Sequence, residues 1–247
     1  MERAEWLKKM RSQAEALYDH LAPAYWVTFG MQDNPVHLEF VGRFLQRLPP
    51  HSAILDAGCG AGRYDGILAQ AGHTVLGIDQ SAGMVARARG QFPQDRFPAL
   101  HYEKMGLQEM SFRAEFDGVA CVQAMEHICP EDWSGILDRF RKALKPRGVL
   151  YLALDIADWG DVRGSYERAR SQGLPVVYGE IVDEVDSAFA EVTGLDWQAI
   201  PGQRADHAVY HYYPAAQQVQ AWFGQAGLTV EEEGAGDGYR HLLLRGR

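Results

Sequence analysis

The stretch Ile54-Leu55-Asp56-Ala57-Gly58-Cys59-Gly60-Ala61-Gly62-Arg63, followed by Val75-Leu76-Gly77-Ile78-Asp79, constrains this chain more than any other. An apolar run ends in an acid. A glycine loop and a helical pattern follow, then a second apolar run that also ends in an acid. This pattern predicts a strand–loop–helix–strand unit that holds a nucleoside-bearing ligand at the carboxyl ends of two parallel strands. Its details separate the candidate ligands. Arg63 stands where a dinucleotide fingerprint has its third glycine. The Asp56 carboxylate, just before the loop, would repel a pyrophosphate seated on a helix N-terminus, and it suits a ligand carrying an ammonium and a sulfonium. Asp79 fits either ligand, because both contain a ribose whose hydroxyls a carboxylate accepts.

Around this unit the apolar spacing predicts a doubly wound α/β fold. Trp6, Leu7, Met10, Ala14, Leu17, Tyr18 and Leu21 recur at helical spacing, and Pro23 is expected to end that helix. A second helix is expected over 36–48, then strands over 53–56, 74–78, 99–103, 116–122 and 149–154, with helices between them. The near-continuous apolar run Val149 to Leu154 reads as a strand covered on both faces. Regular alternation stops after Asp155, and 156–213 shows no clean strand–helix unit. A helix opened by Pro214 and closed by Gly227 leads to two strands, 228–233 and 239–245, whose short link implies an antiparallel terminal pair. The expected architecture is a mostly parallel seven-stranded sheet with an antiparallel last strand. It divides into an N-terminal helical cap (1–50), a core (51–155 and 214–247) and an insertion (156–213) forming a lid.

Composition narrows the partners. The 247 residues carry 24 Lys plus Arg against 33 Asp plus Glu, a net charge of −9, which opposes binding to a phosphate backbone. Nucleic acid is therefore not an expected partner. No apolar run approaches the ~20 residues that cross a bilayer, so no membrane span is expected, and a cytoplasmic setting is. The odd set Cys59, Cys121 and Cys129, with no C-x-x-C pair, reads as buried thiols rather than a disulfide framework or zinc site.

The chain resembles the class I S-adenosylmethionine-dependent methyltransferases. The matching pieces are Tyr18-Asp19-x-Leu21-Ala22-x-x-Tyr25, the Leu55–Arg63 loop, Gly77-Ile78-Asp79-x-Ser81-x-x-Met84, Phe116-Asp117-Gly118-Val119 and Leu144-Lys145-Pro146-x-Gly148-x-Leu150, in the family's order over roughly 15–155. The resemblance implies S-adenosylmethionine as cofactor and methyl transfer as activity. It places Gly58, Gly60 and Gly62 against the methionine part, with Asp56 beside them, and Asp79 on the ribose. Gln80 and Met84 would line the adenine, Gln123 would lie near the methionine part, and Tyr18 and Tyr25 would close over the cofactor. Relatives often place an Asp after the third strand to accept from adenine. Gly106 stands there in this chain, leaving Leu107 and Gln108 as the expected contacts from that loop.

In-line transfer needs a nucleophile held close and dry, with a base if a proton must leave. Candidates beyond strands four and five are Glu126, His127, Asp155, Asp158 and Trp159. The segment Asp206–Tyr213 adds His207, His211, Tyr210 and Tyr212. In a strand, His207 and His211 share one face, with Tyr210 and Tyr212 opposite. His127, His211 and His207 are the candidate bases, and Trp159, Tyr210 and Tyr212 the candidate acceptor contacts. Some relatives hold a divalent metal with a Glu-x-x-Glu-His run. Gln123 replaces the first Glu here, so no metal is expected. The expected reaction is N- or O-methylation of a small organic molecule. A nicotinamide-dependent oxidoreductase and an aminopropyl transferase using decarboxylated S-adenosylmethionine are the rival readings of the same fold.

Overall fold

The computed structural model describes residues 1–30, 34–184 and 208–246. Its centre is a seven-stranded sheet in the order β3-β2-β1-β4-β5-β9-β8. The strands are β1 (Ala53–Ala57), β2 (Thr74–Asp79), β3 (Leu100–Lys104), β4 (Phe116–Val122), β5 (Leu144–Asp155), β8 (Leu228–Gly236) and β9 (Tyr239–Gly246). The first five run parallel, and β9 lies antiparallel between β5 and β8. The expected architecture of the sheet is thus what the chain adopts. The strand order reverses between β1 and β4, and an α/β sheet opens its ligand crevice at such a switch point.

β5 shows why both faces are covered. Leu150, Leu152 and Leu154 pack into one core with Trp133, Leu137 and Phe140 of α5 (Pro130–Ala143) and Phe223 of α7 (Ala216–Ala226). Val149, Tyr151 and Ala153 pack into the other with Phe40 and Phe44 of α2 (Pro35–Leu45) and Leu68 of α3 (Asp65–Gln70). Successive side chains of one strand therefore serve opposite layers. The helices start where their caps dictate. Asn34 accepts from the Val36 and His37 amides at 3.1 and 3.0 Å, and Ser81 from the Met84 amide at 3.0 Å to open α4 (Ala82–Gln91). Gly227, left-handed at φ 71°, closes α7. All three cysteines are buried and free.

Several boundaries depart from the sequence reading. α1 spans Arg3–Tyr25 with Pro23 inside it, and a π turn over Trp26–Gly30 continues it. Pro23 cannot donate to the Asp19 carbonyl, one turn back. That freed oxygen faces Gly83, whose missing Cβ would come within 3.0 Å of it, so close packing on α4 absorbs the break. β5 begins at Leu144, ahead of Val149, with an irregularity between Phe116 and Gly118 on its neighbour.

The insertion also has more order than its pattern suggested. α6 (Trp159–Ser171) is followed by β6 (Glu180–Glu184), which pairs antiparallel with β7 (Ala208–Tyr212). α6 is polar, and its buried residues are only Val162, Ser165 and Ala169. Ser165 Oγ accepts the Val182 amide at 3.0 Å, tying α6 to β6. Asp158, named above among the candidates beyond strands four and five, is the N-cap of α6 and accepts from the Gly160 amide at 2.7 Å. Arg3 holds the insertion to α1. Its guanidinium donates twice to Glu180, at 2.8 Å each, and twice to Glu131 of α5, at 2.8 and 3.1 Å.

Candidate cofactor and acceptor cavities

Two cavities open beyond the carboxyl ends of the strands. The first is open on one side. Its floor is the loop after β1. Gly58 and Cys59 both donate to the Ile78 carbonyl, at 2.8 and 3.0 Å, which binds the loop to β2. Gly58 has φ +79°, and a Cβ there would lie 2.5 Å from the Ala124 Cβ. Gly62, at φ +82°, is equally shut in, with Tyr102, Asp65 and Phe92 within 3.1 Å of a would-be Cβ. Gly60 differs. Its would-be Cβ meets only the Tyr25 ring, at 3.9 Å, so the bare backbone faces the cavity.

The acid ending β2 is fixed in place. Asp79 Oδ2 accepts from the Gly60 amide at 2.9 Å, and Oδ1 from the Ser81 amide at 2.8 Å. Burial pushes its carboxyl up from the ordinary value, and the two amides pull it back. Asp56 is buried beside Asp65, and desolvation with that neighbour's charge raises it well above the ordinary range. Asp19, at the end of the Tyr18-Asp19 pair, joins the roof to α4. Its Oδ1 accepts from Ser81 Oγ at 2.6 Å and from the Gly83 amide at 2.8 Å.

The structure brings Tyr18, Tyr25, Asp56, Gly58, Gly60, Asp79, Gln80, Met84, Leu107, Gln108, Gln123 and His127 together in the lining of this cavity. Gly62 lies behind the loop rather than in the lining. Sequence reasoning overlooked Arg63, Tyr64, Met105 and Ile128, which also line it. It overlooked Tyr239 of β9 as well, whose hydroxyl accepts from Gln123 Nε2. No local motif marks that tyrosine, because it reaches the site only through sheet topology.

His127 is held between two elements. The Tyr210 carbonyl, 3.4 Å from Nδ1, can only accept, so Nδ1 carries the proton and Nε2 accepts the Tyr18 hydroxyl at 2.7 Å. Burial and the nearby His211 lower His127 to about 3. The His211 ring lies 4.7 Å from it, centroid to centroid, and burial lowers that group to about 4. Both imidazoles are therefore neutral near pH 7. His207 lies outside the described residues.

The second cavity lies over the ends of β4 and β5. The single turn Met125–His127 separates the two: His127 lines the first and Glu126 the second. Asp155, Trp159, Tyr212, Tyr213 and Arg240 line it with Glu126. Trp159 is 44% exposed and stacks on Tyr178 at 6.3 Å. Tyr210 points away into the core, where its hydroxyl donates to Glu180 at 2.6 Å. Glu126 is raised well above the ordinary carboxyl range by burial and by Asp155, and burial raises Asp155 to about 6. No group of three metal-ligating side chains is placed for an ion among the described residues, and no described helix is long and apolar enough to cross a membrane.

A parallel sheet with a glycine loop and a strand-end carboxylate at its switch point defines a nucleoside-binding α/β protein. Residues 54–148 match a family model described as a methyltransferase domain. A ubiquinone biosynthesis O-methyltransferase from Haemophilus ducreyi is 31% identical over 147 residues, 55% of this chain and 61% of that protein. One from Acinetobacter baylyi is 26% identical over 148 residues, 57% of this chain and 61% of that protein. The chain thus spans about three fifths of the length of these curated relatives. Two solved structures share the fold at low identity. The PH0226 protein of Pyrococcus horikoshii OT3 has a TM-score of 0.64 at 18% identity, covering 90% of this chain and 96% of its own. A 1,6-didemethyltoxoflavin-N1-methyltransferase from Burkholderia thailandensis has 0.63 at 15% identity, covering 96% and 89%. Residues 54–148 thus match a methyltransferase domain, and these solved structures share the fold of nearly the whole chain.

Proposed function

We propose that this protein transfers a methyl group from S-adenosylmethionine to a nitrogen or oxygen atom of a small organic acceptor. The observation that carries the reading is the Asp79 carboxylate, held by the Gly60 and Ser81 amides at the floor of the first cavity. The relatives named O-methyltransferases and the N1-methyltransferase of like fold support the same chemistry, and they span both acceptor atoms. The cofactor supplies a methyl group on a sulfonium, which already has a good leaving group.

The chain's own residues do the rest. Asp79 accepts from the ribose hydroxyls, and Gln80, Met84, Leu107 and Gln108 line the adenine. Gly58 and Gly60 let the backbone approach the methionine part, with Asp56 and Gln123 nearby. Tyr18 and Tyr25 close over it, and their aromatic faces favour a sulfonium. His127 and His211 are the imidazoles beside the site; burial holds both low and the Tyr18 hydroxyl occupies His127 Nε2, so each would serve only as a weak base for a proton shed by the acceptor. The described part of the insertion, α6 with β6 and β7, and the leading helices form the lid that excludes water.

Isothermal titration of the full chain tests this directly. S-adenosylmethionine and its demethylated product should bind in the micromolar range or tighter, and Asp79→Ala should weaken both at least tenfold while the circular dichroism spectrum is retained. Absence of binding to either by the native chain would end the reading.

A further inference from the structure

The second cavity carries a feature that methyl transfer does not itself require. Glu126 is 5% exposed, and its Oε2 is buried with no hydrogen-bond partner among the described residues. Asp155 Oδ1 is in the same state. Asp155 ends β5, Glu126 lies in the turn that follows the neighbouring strand β4, and each lines the cavity. A buried acceptor atom without a donor is costly, and a buried pair of acids costs more.

We propose that Glu126 and Asp155 are the anchor for a cationic amino group on the methyl acceptor. This rests on the transferase reading and specifies its substrate class: a small amine whose ring or chain lies against the Trp159 and Tyr213 side of the cavity. An ammonium brings three donors and one positive charge, which match two unpartnered acceptor oxygens and the charge of one ionised acid. Aromatic walls attract a cation through their ring faces. A carboxylate ligand would be repelled, and a lone hydroxyl would satisfy one oxygen and leave the charge unbalanced.

A metal ion lacks the third protein ligand among the described residues. Arg240, the cation in the lining, already donates to Glu233 at 2.6 Å. The other titratable groups felt by or facing the pair are Tyr18, Tyr25, Cys121, Tyr212, Tyr213 and Tyr239, all neutral near pH 7. Because burial holds both acids above their ordinary range, the empty pair carries protons near pH 6, and an arriving ammonium should expel about one of them.

The test uses the full chain saturated with S-adenosylhomocysteine and three probes sharing one ring: tyramine, 4-ethylphenol and 4-hydroxyphenylacetate. Titration calorimetry at pH 6 in buffers of different ionisation enthalpy reads affinity and proton release together. Tyramine should bind at least tenfold more tightly than the other two and release about one proton. Glu126→Gln and Asp155→Asn should each weaken tyramine at least tenfold and cut the proton release, while S-adenosylhomocysteine affinity stays within twofold. Should one variant fail to fold, the other still decides. No tyramine binding, equal binding of the three probes, or variants that bind tyramine like the native chain would overturn the anchor. Failure of S-adenosylhomocysteine to bind the native chain would instead remove the transferase reading, and the acceptor site with it.

Discussion

The first cavity takes its shape from backbone, whereas the second takes it from side chains. Over the glycine loop, the chain fixes Asp79 with two amides and seats Gly58 against Ala124 with no space for a Cβ. Over β4 and β5, the walls are Glu126, Asp155, Trp159, Tyr212 and Tyr213, which come from four separate segments. Backbone geometry demands particular residue types at particular spacings, so it leaves a pattern along the chain. A wall of side chains leaves none, since many residues serve and their spacing is set by the fold.

The contrast can be broken most severely at Arg3, on which the side-chain-built region hangs. Arg3→Ala leaves buried Glu180 without its twofold ionic partner and should cost roughly 3–5 kcal/mol. Urea denaturation should show it. If the two cavities are built independently, loss of protection in hydrogen exchange will concentrate in α6 and β6–β7 and spare β1 and β2. The next effect separates glycines within the loop. Gly58→Ala combines left-handed strain with a methyl group pressed on Ala124, for roughly 2–5 kcal/mol. Gly60→Ala should cost only about 1 kcal/mol in stability, yet lower S-adenosylhomocysteine affinity, because its methyl group projects into the cavity. Equal stability losses in both would refute the distinction between buried and cavity-facing glycines.

The smallest effect is a pH dependence. Asp155 titrates near 6 in the folded chain and near the ordinary carboxyl value when unfolded. The folded state therefore holds this proton longer, and its stabilising contribution is present at pH 4 and lost as pH rises through 6. Relative to the native chain, Asp155→Asn should gain stability between pH 4 and 7. Thermal melts across that range check the sign.

The sheet was legible because apolar runs ending in Asp56 and Asp79 frame a glycine loop, and because β5 is apolar at every position from Val149 to Leu154. α6 was not, since a helix burying only Val162, Ser165 and Ala169 has too thin an apolar stripe to stand out from its charges. Pro23 misled for a local reason: packing of Asp19 on α4 outweighs the missing hydrogen bond. Among functional positions, those of the loop could be read directly. Tyr239 could not, because it meets Gln123 only through the antiparallel insertion of β9 beside β5. Glu126 and His127 were both visible as candidates. That consecutive residues face different cavities follows from the tight turn they occupy.

Asp19 places one oxygen atom under two duties. It receives the hydroxyl of Ser81 and the amide of Gly83, and by the same bonds moors α1 above the first cavity. Raising the roof thus strips the opening turn of α4 of both partners together. If α1 lifts, both bonds break together, and deuterium uptake at the Gly83 amide would report it.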